Sequence, residues 1–177
     1  MTDLMIILGS PASGKTTLAR RLAAEFRVPC LCKDDIKEAL FDVLGVADRA
    51  DSKRLSDASF AAELRVARTQ LEAGLSCMME GNWAPQHAAA VLQILDATGA
   101  RSAQVWCRAN PLEIVRRFTS RTRHAGHLDA ALPRDELQRW SMVPPSFLEL
   151  TGPRWVYDSD DSAAYEELVR TMKTWRV

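Results

Sequence analysis

The run Gly9–Thr16 has the residue types and the spacing of a loop that binds phosphate. It reads GSPASGKT, follows the apolar run Leu4–Leu8 and precedes a stretch with helical periodicity. Glycines let the backbone approach a phosphate, and successive N–H groups at a helix N-terminus supply partial positive charge. Lys15 can reach the outer phosphates, and the Thr16 hydroxyl can coordinate Mg²⁺. We therefore predict a nucleotide-phosphate site formed by Gly9, Ser10, Pro11, Ala12, Ser13, Gly14, Lys15, Thr16 and Thr17.

A carboxylate closes a second apolar run. Residues 76–80 read SCMME, the pattern of a buried strand that ends on an acid, and Gly-Asn-Trp follows. In P-loop enzymes a carboxylate near this position lies on the Mg²⁺ side of the site. We expect Glu80 to share the metal with Thr16, and Asn82 and Trp83 to extend the site; the alternative is a solvent-facing glutamate. The sequence has no Asn-Lys-x-Asp motif for guanine, which disfavours a GTP switch.

Two adjacent carboxylates follow a further apolar run, 28–32. The segment reads KDDIK from Lys33 to Lys37, at a strand end where open α/β sheets bind ligands. A carboxylate there can accept the proton of an attacking hydroxyl, while Lys37 faces a polar or anionic part of the acceptor. Since Asp is also a good helix cap, we expect one of Asp34 and Asp35 to be catalytic and the other to cap the next helix.

Cations are concentrated later in the chain. Residues 116–127 read RRFTSRTRHAGH, with four arginines in eight positions followed by a glycine in an aperiodic segment. This pattern indicates a lid over about residues 120–135 that closes positive charge over a transferring phosphoryl group. The alternatives are a solvated basic face and a contact to nucleic-acid phosphates. His124 and His127 have no third ligand nearby in the sequence, which disfavours a zinc site.

The elements that must position these groups alternate along the chain. Strand-like runs at 4–8, 28–32, 76–80, 103–107 and 154–157 alternate with helical patterns at 15–26, 35–44, 52–73, 86–98, 111–121 and 162–175, and a short helix ends near 140. That alternation is typical of βαβ units with a parallel sheet. The chain has 177 residues, of which 47% are hydrophobic, so we predict a single domain over 1–177.

Composition excludes several classes of protein. Lys+Arg and Asp+Glu both number 23, so net charge gives no reason for non-specific binding to nucleic acid or to an anionic membrane. No apolar run approaches the ~18 residues of a membrane-spanning helix, and no basic segment precedes the first run. The four cysteines lie in strand-like apolar runs, and Cys30-x-Cys32 has no second Cys/His pair for a metal. We expect a reduced, cytoplasmic protein with no membrane partner.

The motifs GSPASGKTT, KDDIK, MMEGNW and the lid arginines with His124 make the chain resemble a group of small P-loop kinases. That group contains zeta toxins, chloramphenicol phosphotransferases and the kinase domain of polynucleotide kinase, with adenylate and shikimate kinases more distant. The resemblance implies a P-loop NTPase fold, a three-layer α/β/α sandwich around a five-stranded parallel sheet of order 2-3-1-4-5. It also implies ATP and Mg²⁺ as cofactors.

The resemblance also implies roles for individual residues. Asp34 resembles the general base, Arg117 the residue that packs on adenine, and Arg121 the residue that contacts the phosphates. Ser159, in Asp158-Ser159-Asp160, resembles part of a turn that contacts adenine. The catalytic set is then Lys15, Asp34 and Arg121, and the acceptor is bound by Asp35, Lys37, Asn82, Trp83, Arg123 and His124.

The predicted activity is an ATP-dependent kinase that phosphorylates a hydroxyl of a small molecule or nucleotide. The alternatives are a polynucleotide or tRNA 5′-hydroxyl kinase, a toxin acting on a nucleotide-sugar, and a regulatory ATPase without a fixed acceptor. Nucleic acid is the less favoured acceptor, because Lys37 stands where polynucleotide kinases have an arginine and the chain is neutral overall. No motif names the acceptor or an oligomeric state.

Overall fold

The protein is an α/β sandwich built on one parallel sheet. The computed structural model describes residues 1–122, 124–127 and 134–176. The strands are β1 (Asp3–Gly9), β2 (Cys30–Cys32), β3 (Cys77–Glu80), β4 (Arg101–Arg108) and β5 (Arg154–Asp158). They lie in the order β2-β3-β1-β4-β5, and each neighbouring pair is parallel. The predicted strand order is confirmed.

Seven helices occur in the described part of the chain. They are α1 (Lys15–Phe26), α2 (Lys33–Leu44), α3 (Arg49–Glu72), α4 (Ala88–Thr98), α5 (Pro111–Ser120), α6 (Arg134–Ser141) and α7 (Ala164–Arg176). A 3₁₀ turn at Pro85–His87 leads into α4, and another covers Ala125–His127. None of the described helices is both long enough and apolar enough to cross a membrane.

The core consists of two apolar layers, one on each face of the sheet. Alternate residues of β1 point to opposite faces, as the period of two in a strand requires. Leu4, Ile6 and Leu8 pack with apolar residues of α3 and α4. Met5 and Ile7 pack with apolar residues of α1 and α7. The predicted three-layer arrangement is thus confirmed, and β1 is buried on both sides at its centre.

One local prediction is wrong. Helix α2 begins at Lys33 directly after β2 ends at Cys32, so Cys32 occupies the N-cap position and its side chain makes no capping hydrogen bond. Asp34 and Asp35 lie inside the first turn, and neither is the cap. The reason is that strand and helix are joined without a connecting residue. Carboxylates in the first turn still interact favourably with the helix dipole.

Candidate functional site

The loop between β1 and α1 wraps tightly at the end of the central strand. Gly9 has φ 148° and Gly14 has φ 94°, values that favour glycine, and Ala12 also has a positive φ of 62°. A Cβ atom on Gly9 would collide with the carbonyl oxygen of Cys107 in β4. The glycines therefore let the loop turn close to the edge of the sheet, so that its backbone N–H groups lie next to the N-terminus of α1.

A cavity of about 1010 Å³ opens above this loop, where β1, β2 and β3 end. Its wall contains residues from the phosphate-binding loop, the first turn of α2, the end of β3 and the end of α5. Of the residues predicted from the sequence, it brings together Pro11, Ala12, Gly14, Lys15, Thr16, Thr17, Asp34, Asp35, Lys37, Glu80, Asn82, Arg117 and Arg121. These predicted phosphate, metal and acceptor residues thus share one cavity.

Thr16 and Glu80 meet at the base of the cavity. The Thr16 hydroxyl donates to Glu80 Oε2 at 3.0 Å, and Lys15 Nζ lies 3.8 Å from Glu80 Oε1. Glu80 is only 2% exposed. Burial raises the pKa of Glu80, and the charge of Lys15 and the hydrogen bond from Thr16 offset part of that rise. A buried carboxylate beside a hydroxyl is an all-oxygen donor pair, which fits Mg²⁺.

The two carboxylates of α2 are held differently. The buried Lys33 places Nζ 3.1 Å from Asp34 Oδ1, and the Asp34 side chain is 34% exposed. Asp35 is 54% exposed and takes two hydrogen bonds of 2.9 Å from Arg20 on α1. A guanidinium thus holds both oxygens of the exposed Asp35, whereas an ammonium group lies beside Oδ1 of the less exposed Asp34.

The turn at Ala125–His127, within the predicted lid, contacts α2 and α3. Lys37 is buried and donates to Ser52 Oγ at 2.9 Å, while Ser52 Oγ donates to the carbonyl of Gly126 at 3.1 Å. The His127 ring nitrogen lies 2.8 Å from Glu38 Oε1, and His127 lines the cavity. The turn at Ala125–His127 is therefore tied to the helix that carries Asp34.

Arg117 joins α5 to the loop after β5. Its guanidinium donates to Ser159 Oγ at 3.0 Å, to Asp160 Oδ1 at 2.7 Å and to Glu113 Oε1 at 2.7 Å. A Cβ atom on Gly14 would lie 3.3 Å from Ser159 Cβ. The phosphate-binding loop, Arg117 and the turn that contains Ser159 are thus in contact, although Ser159 itself does not line the cavity.

Some predicted site residues lie elsewhere. Trp83 is 3% exposed and packs edge-on against Phe60 and His87, with ring centroids 4.8 Å and 5.4 Å away, so it is behind the cavity wall. His124 packs against Phe41 and bonds Asp42 at 2.9 Å, outside the cavity. Gly9, Ser10 and Ser13 belong to the phosphate-binding loop but do not line the cavity. Arg123 and residues 128–133 of the lid lie outside the described residues.

Comparison with known proteins places the chain in a family. Residues 4–143 match the family model described as an AAA domain. The chain belongs to the AAA domain family. No curated protein matches its sequence.

Solved structures share the fold of this chain. A candidate kinase from Chloroflexus aurantiacus is 30% identical, with a TM-score of 0.88 over 98% of this chain and 97% of that chain. An APS kinase from Mycobacterium tuberculosis, solved with AMPPNP and APS, is 18% identical, with a TM-score of 0.57 over 98% and 96%. A shikimate kinase from Bacteroides thetaiotaomicron is 16% identical, with a TM-score of 0.55 over 97% of each chain. This AAA-domain protein therefore has a P-loop kinase-like fold, as the motifs predicted.

Sequence reasoning missed several residues of the cavity wall. Lys33, Ser52, His127 and Trp140 line it in this AAA-domain protein. Lys33 belongs to the KDDIK motif and could have been found there. Trp140 lies in α6, and its carbonyl accepts a hydrogen bond from Ser10 Oγ at 2.8 Å across 130 residues. No local signal predicts such a distant contact.

A second buried carboxyl lies near the site. Glu63 of α3 is 0% exposed, and neither of its oxygens has a hydrogen-bond partner of ordinary geometry among the described residues. Burial raises the pKa of Glu63 well above its usual range, the charge of Glu80 raises it further, and the backbone of Glu80 offsets part of the rise. Glu63 is therefore expected to keep its proton where an exposed glutamate has lost it.

We expect Glu63→Gln to remove part of the pH dependence of stability. An unfolded chain loses the Glu63 proton near pH 4.5, whereas the folded chain holds it to higher pH. Wild type then loses stability as pH rises above that value, by up to ~1.4 kcal/mol per pH unit, until the folded pKa is passed. Urea unfolding of both proteins at several pH values measures this. If the free energies of unfolding of wild type and Glu63→Gln differed by the same amount from about pH 5 to pH 8, this prediction would be wrong. The control is Glu167→Gln, which changes an exposed glutamate of α7.

Proposed function

We propose that this protein is a kinase that transfers the γ-phosphoryl group of ATP to a hydroxyl of a small molecule or nucleotide. The observation that carries the proposal is the convergence of Lys15, the Thr16–Glu80 pair and Asp34 on one cavity. A phosphate-binding loop alone suits any nucleotide-binding protein. A hydroxyl and a buried carboxylate that suit Mg²⁺, together with a carboxylate on the facing helix, are what transfer to an acceptor requires.

The phosphate side of the cavity binds and orients the nucleotide. Backbone N–H groups of the loop and the N-terminus of α1 supply positive potential to the phosphates. Lys15 Nζ, which is 3.4 Å from the Ser10 carbonyl and 3.8 Å from Glu80, pairs with the outer phosphates when they are bound. Thr16 and Glu80 would hold Mg²⁺, which when bound neutralises charge on the phosphate oxygens.

The acceptor side supplies the base. Asp34 Oδ accepts the proton of the attacking hydroxyl, and the buried Lys33 beside it fixes the carboxylate in place. Lys37 and Asn82 lie in the same wall and are placed to bind polar groups of the acceptor. Arg121 enters from the end of α5 and stabilises charge as the phosphoryl group moves. Arg117 and the turn at Ser159 are the proposed contact for adenine.

The volume of the cavity and the net charge of the chain support a small acceptor. The cavity of about 1010 Å³ is shared by the nucleotide and the acceptor, which favours a compact acceptor over a long nucleic-acid tract. The zero net charge of the chain also favours a compact acceptor over nucleic acid. A cytoplasmic location and a single domain over 1–177 belong to the same proposal.

The test is a ³¹P NMR screen of ATP turnover against pooled hydroxyl compounds: sugars, nucleosides, nucleotides and hydroxy acids, with a 5′-hydroxyl oligonucleotide as a separate pool. The expected result is ADP together with a new phosphate-ester signal in a small-molecule pool. An ester in the oligonucleotide pool alone would favour a polynucleotide kinase. ADP and inorganic phosphate at one rate in every pool would favour a regulatory ATPase, and both outcomes would overturn the proposal.

Lys15→Ala is expected to lower ATP affinity about 10- to 100-fold, because hydrogen bonds to charged groups are worth about 1.5–3 kcal/mol. The variant should remain folded, since Lys15 acts on phosphate charge rather than in the apolar core. Isothermal titration with ATP and circular dichroism measure the two effects. Lys173→Ala, which removes an exposed lysine of α7 paired with Glu25, is the control. Wild-type affinity in Lys15→Ala would remove the phosphate-loop assignment.

A further inference from the structure

Two thiols are in contact at the edge of the sheet. Cys30 and Cys32 are two residues apart in β2, so their side chains share one face of the strand, and their Sγ atoms are 3.6 Å apart. Both are free thiols. Cys30 is partly exposed, whereas Cys32 is buried. Two thiols at this distance need only a small movement to reach the ~2.05 Å of a disulfide bond.

The other two cysteines differ in placement and reactivity. Cys77 in β3 and Cys107 in β4 are fully buried. Strand β1 separates their strands, and Cys77 pairs in register with Leu4 whereas Cys107 pairs with Gly9, which puts them roughly 19 Å apart. Burial raises the pKa of each thiol to about 12. In contrast, a hydrogen bond from Cys32 and the charge of Arg20 lower the pKa of Cys30. Cys30 is also the only cysteine of the four that is partly exposed, so it is the thiol that a peroxide can reach first, with a second thiol in contact.

Closing this pair would deform the segment that carries Asp34. At ~3.3 Å per residue, two residues of a strand span ~6.6 Å between Cα atoms, the long end of what a disulfide bridges. Closure therefore draws the ends of β2 together. Because β2 is an edge strand whose last residue is the N-cap of α2, the displacement passes directly to the first turn of α2. Cys32 also pairs in register with Glu80 on β3.

We propose that Cys30 and Cys32 form a dithiol modification site, at which hydrogen peroxide oxidises the pair to an intrachain disulfide that lowers phosphoryl transfer. The Cys30 thiolate attacks a peroxide oxygen, the O–O bond breaks, and the leaving hydroxide takes a proton to become water. The Cys32 sulfur then attacks the sulfenic acid at Cys30, forming the S–S bond and releasing a second water. Two thiols and one hydrogen peroxide thus give one disulfide and two waters.

The effect on transfer rests on the proposed function, but the oxidation does not. A displacement of about 1 Å at a reacting group can cost up to 10²-fold in rate, so we expect the disulfide to lower transfer roughly 10- to 100-fold. Addition of a dithiol reductant should restore the original rate. ATP affinity should change less, because the phosphate-binding loop lies on β1 rather than β2.

The test is to treat the reduced protein with increasing concentrations of hydrogen peroxide and to measure three quantities. Peptide mapping by mass spectrometry should find Cys30 joined to Cys32, with Cys77 and Cys107 still free. Hydrogen exchange over residues 30–36 should change on oxidation. Phosphoryl transfer should fall and recover with reductant in wild type and in Cys77→Ala, while Cys30→Ser should be insensitive to peroxide.

Each contrary result would overturn one part of this proposal. Absence of a Cys30–Cys32 peptide at peroxide doses that oxidise exposed methionines would overturn the modification site. Over-oxidation of Cys30 to the sulfinic acid without a disulfide would also overturn it. A disulfide that leaves both hydrogen exchange and transfer unchanged would overturn the coupling to α2. Should no acceptor be phosphorylated even by reduced protein, the proposed function fails, and the peptide map and hydrogen exchange still decide the dithiol.

Discussion

An Arg121→Ala variant is expected to lose roughly 10³- to 10⁵-fold in phosphoryl-transfer rate while its ATP affinity changes far less. Arg121 follows the last turn of α5 and lines the cavity, and its guanidinium lies 4.8 Å from the centre of the Phe118 ring. That ring limits the positions the cation can take. An arginine placed in advance for charge that develops in the transition state acts on rate rather than on binding.

Single-turnover transfer and equilibrium titration with ATP separate the two effects. Arg116→Ala is the matched control, because Arg116 is exposed on α5 and pairs with Glu113 outside the cavity. It should leave both quantities unchanged. Equal losses of rate and affinity in Arg121→Ala would make Arg121 a ground-state phosphate contact. No change in either would make this stretch a solvated basic face.

The parts of the fold that were predictable are those with a local signal. Helix α1 spans Lys15–Phe26 as its periodicity predicted. The strand order agrees with what the resemblance to small P-loop kinases implied, and that resemblance rests on short motifs of residues adjacent in sequence. The start of α2 was not predicted, because Asp34 and Asp35 suit an N-cap as well as a first turn, and only the end of β2 at Cys32 decides between them.

The parts of the site that escaped prediction depend on contacts between distant segments. Trp83 follows Asn82 directly, yet only Asn82 lines the cavity. The Trp83 side chain points away from it and packs against the ring of Phe60 in α3. His127 enters the wall because Glu38, 89 residues earlier, holds its ring. A sequence motif can indicate that a glycine-bearing segment closes on a site, but the helix face on which it docks is decided by tertiary packing.

The Cys30-x-Cys32 pair illustrates the same limit. Its spacing alone disfavoured a metal site, since no second pair of ligands lies nearby in the sequence. The chemistry that the pair can perform emerges only when the Sγ distance of 3.6 Å and the direct junction of β2 with α2 are known. Reactivity here depends on geometry rather than on residue type.

Asp34→Asn is expected to lower phosphoryl transfer by roughly 10²- to 10⁴-fold with ATP affinity nearly intact, because the amide keeps the size of the side chain and removes the base. The contact with Lys33 Nζ, 3.1 Å from Asp34 Oδ1, can persist with the amide oxygen, so the first turn of α2 should keep its position. Pre-steady-state transfer to the acceptor found by the ³¹P screen measures the loss.

Asp35→Asn is the matched control for that variant. The Asp35–Arg20 bridge is exposed, and surface ion pairs contribute about 0–1 kcal/mol, so this change should cost at most that much stability and little transfer. If the two variants exchanged phenotypes, Asp35 would be the base, and its bridge to Arg20 would have to open when the acceptor binds. If neither variant lost transfer, the carboxylates would serve only to stabilise the start of α2. A cavity that binds ATP without a base describes a regulatory ATPase better than a kinase.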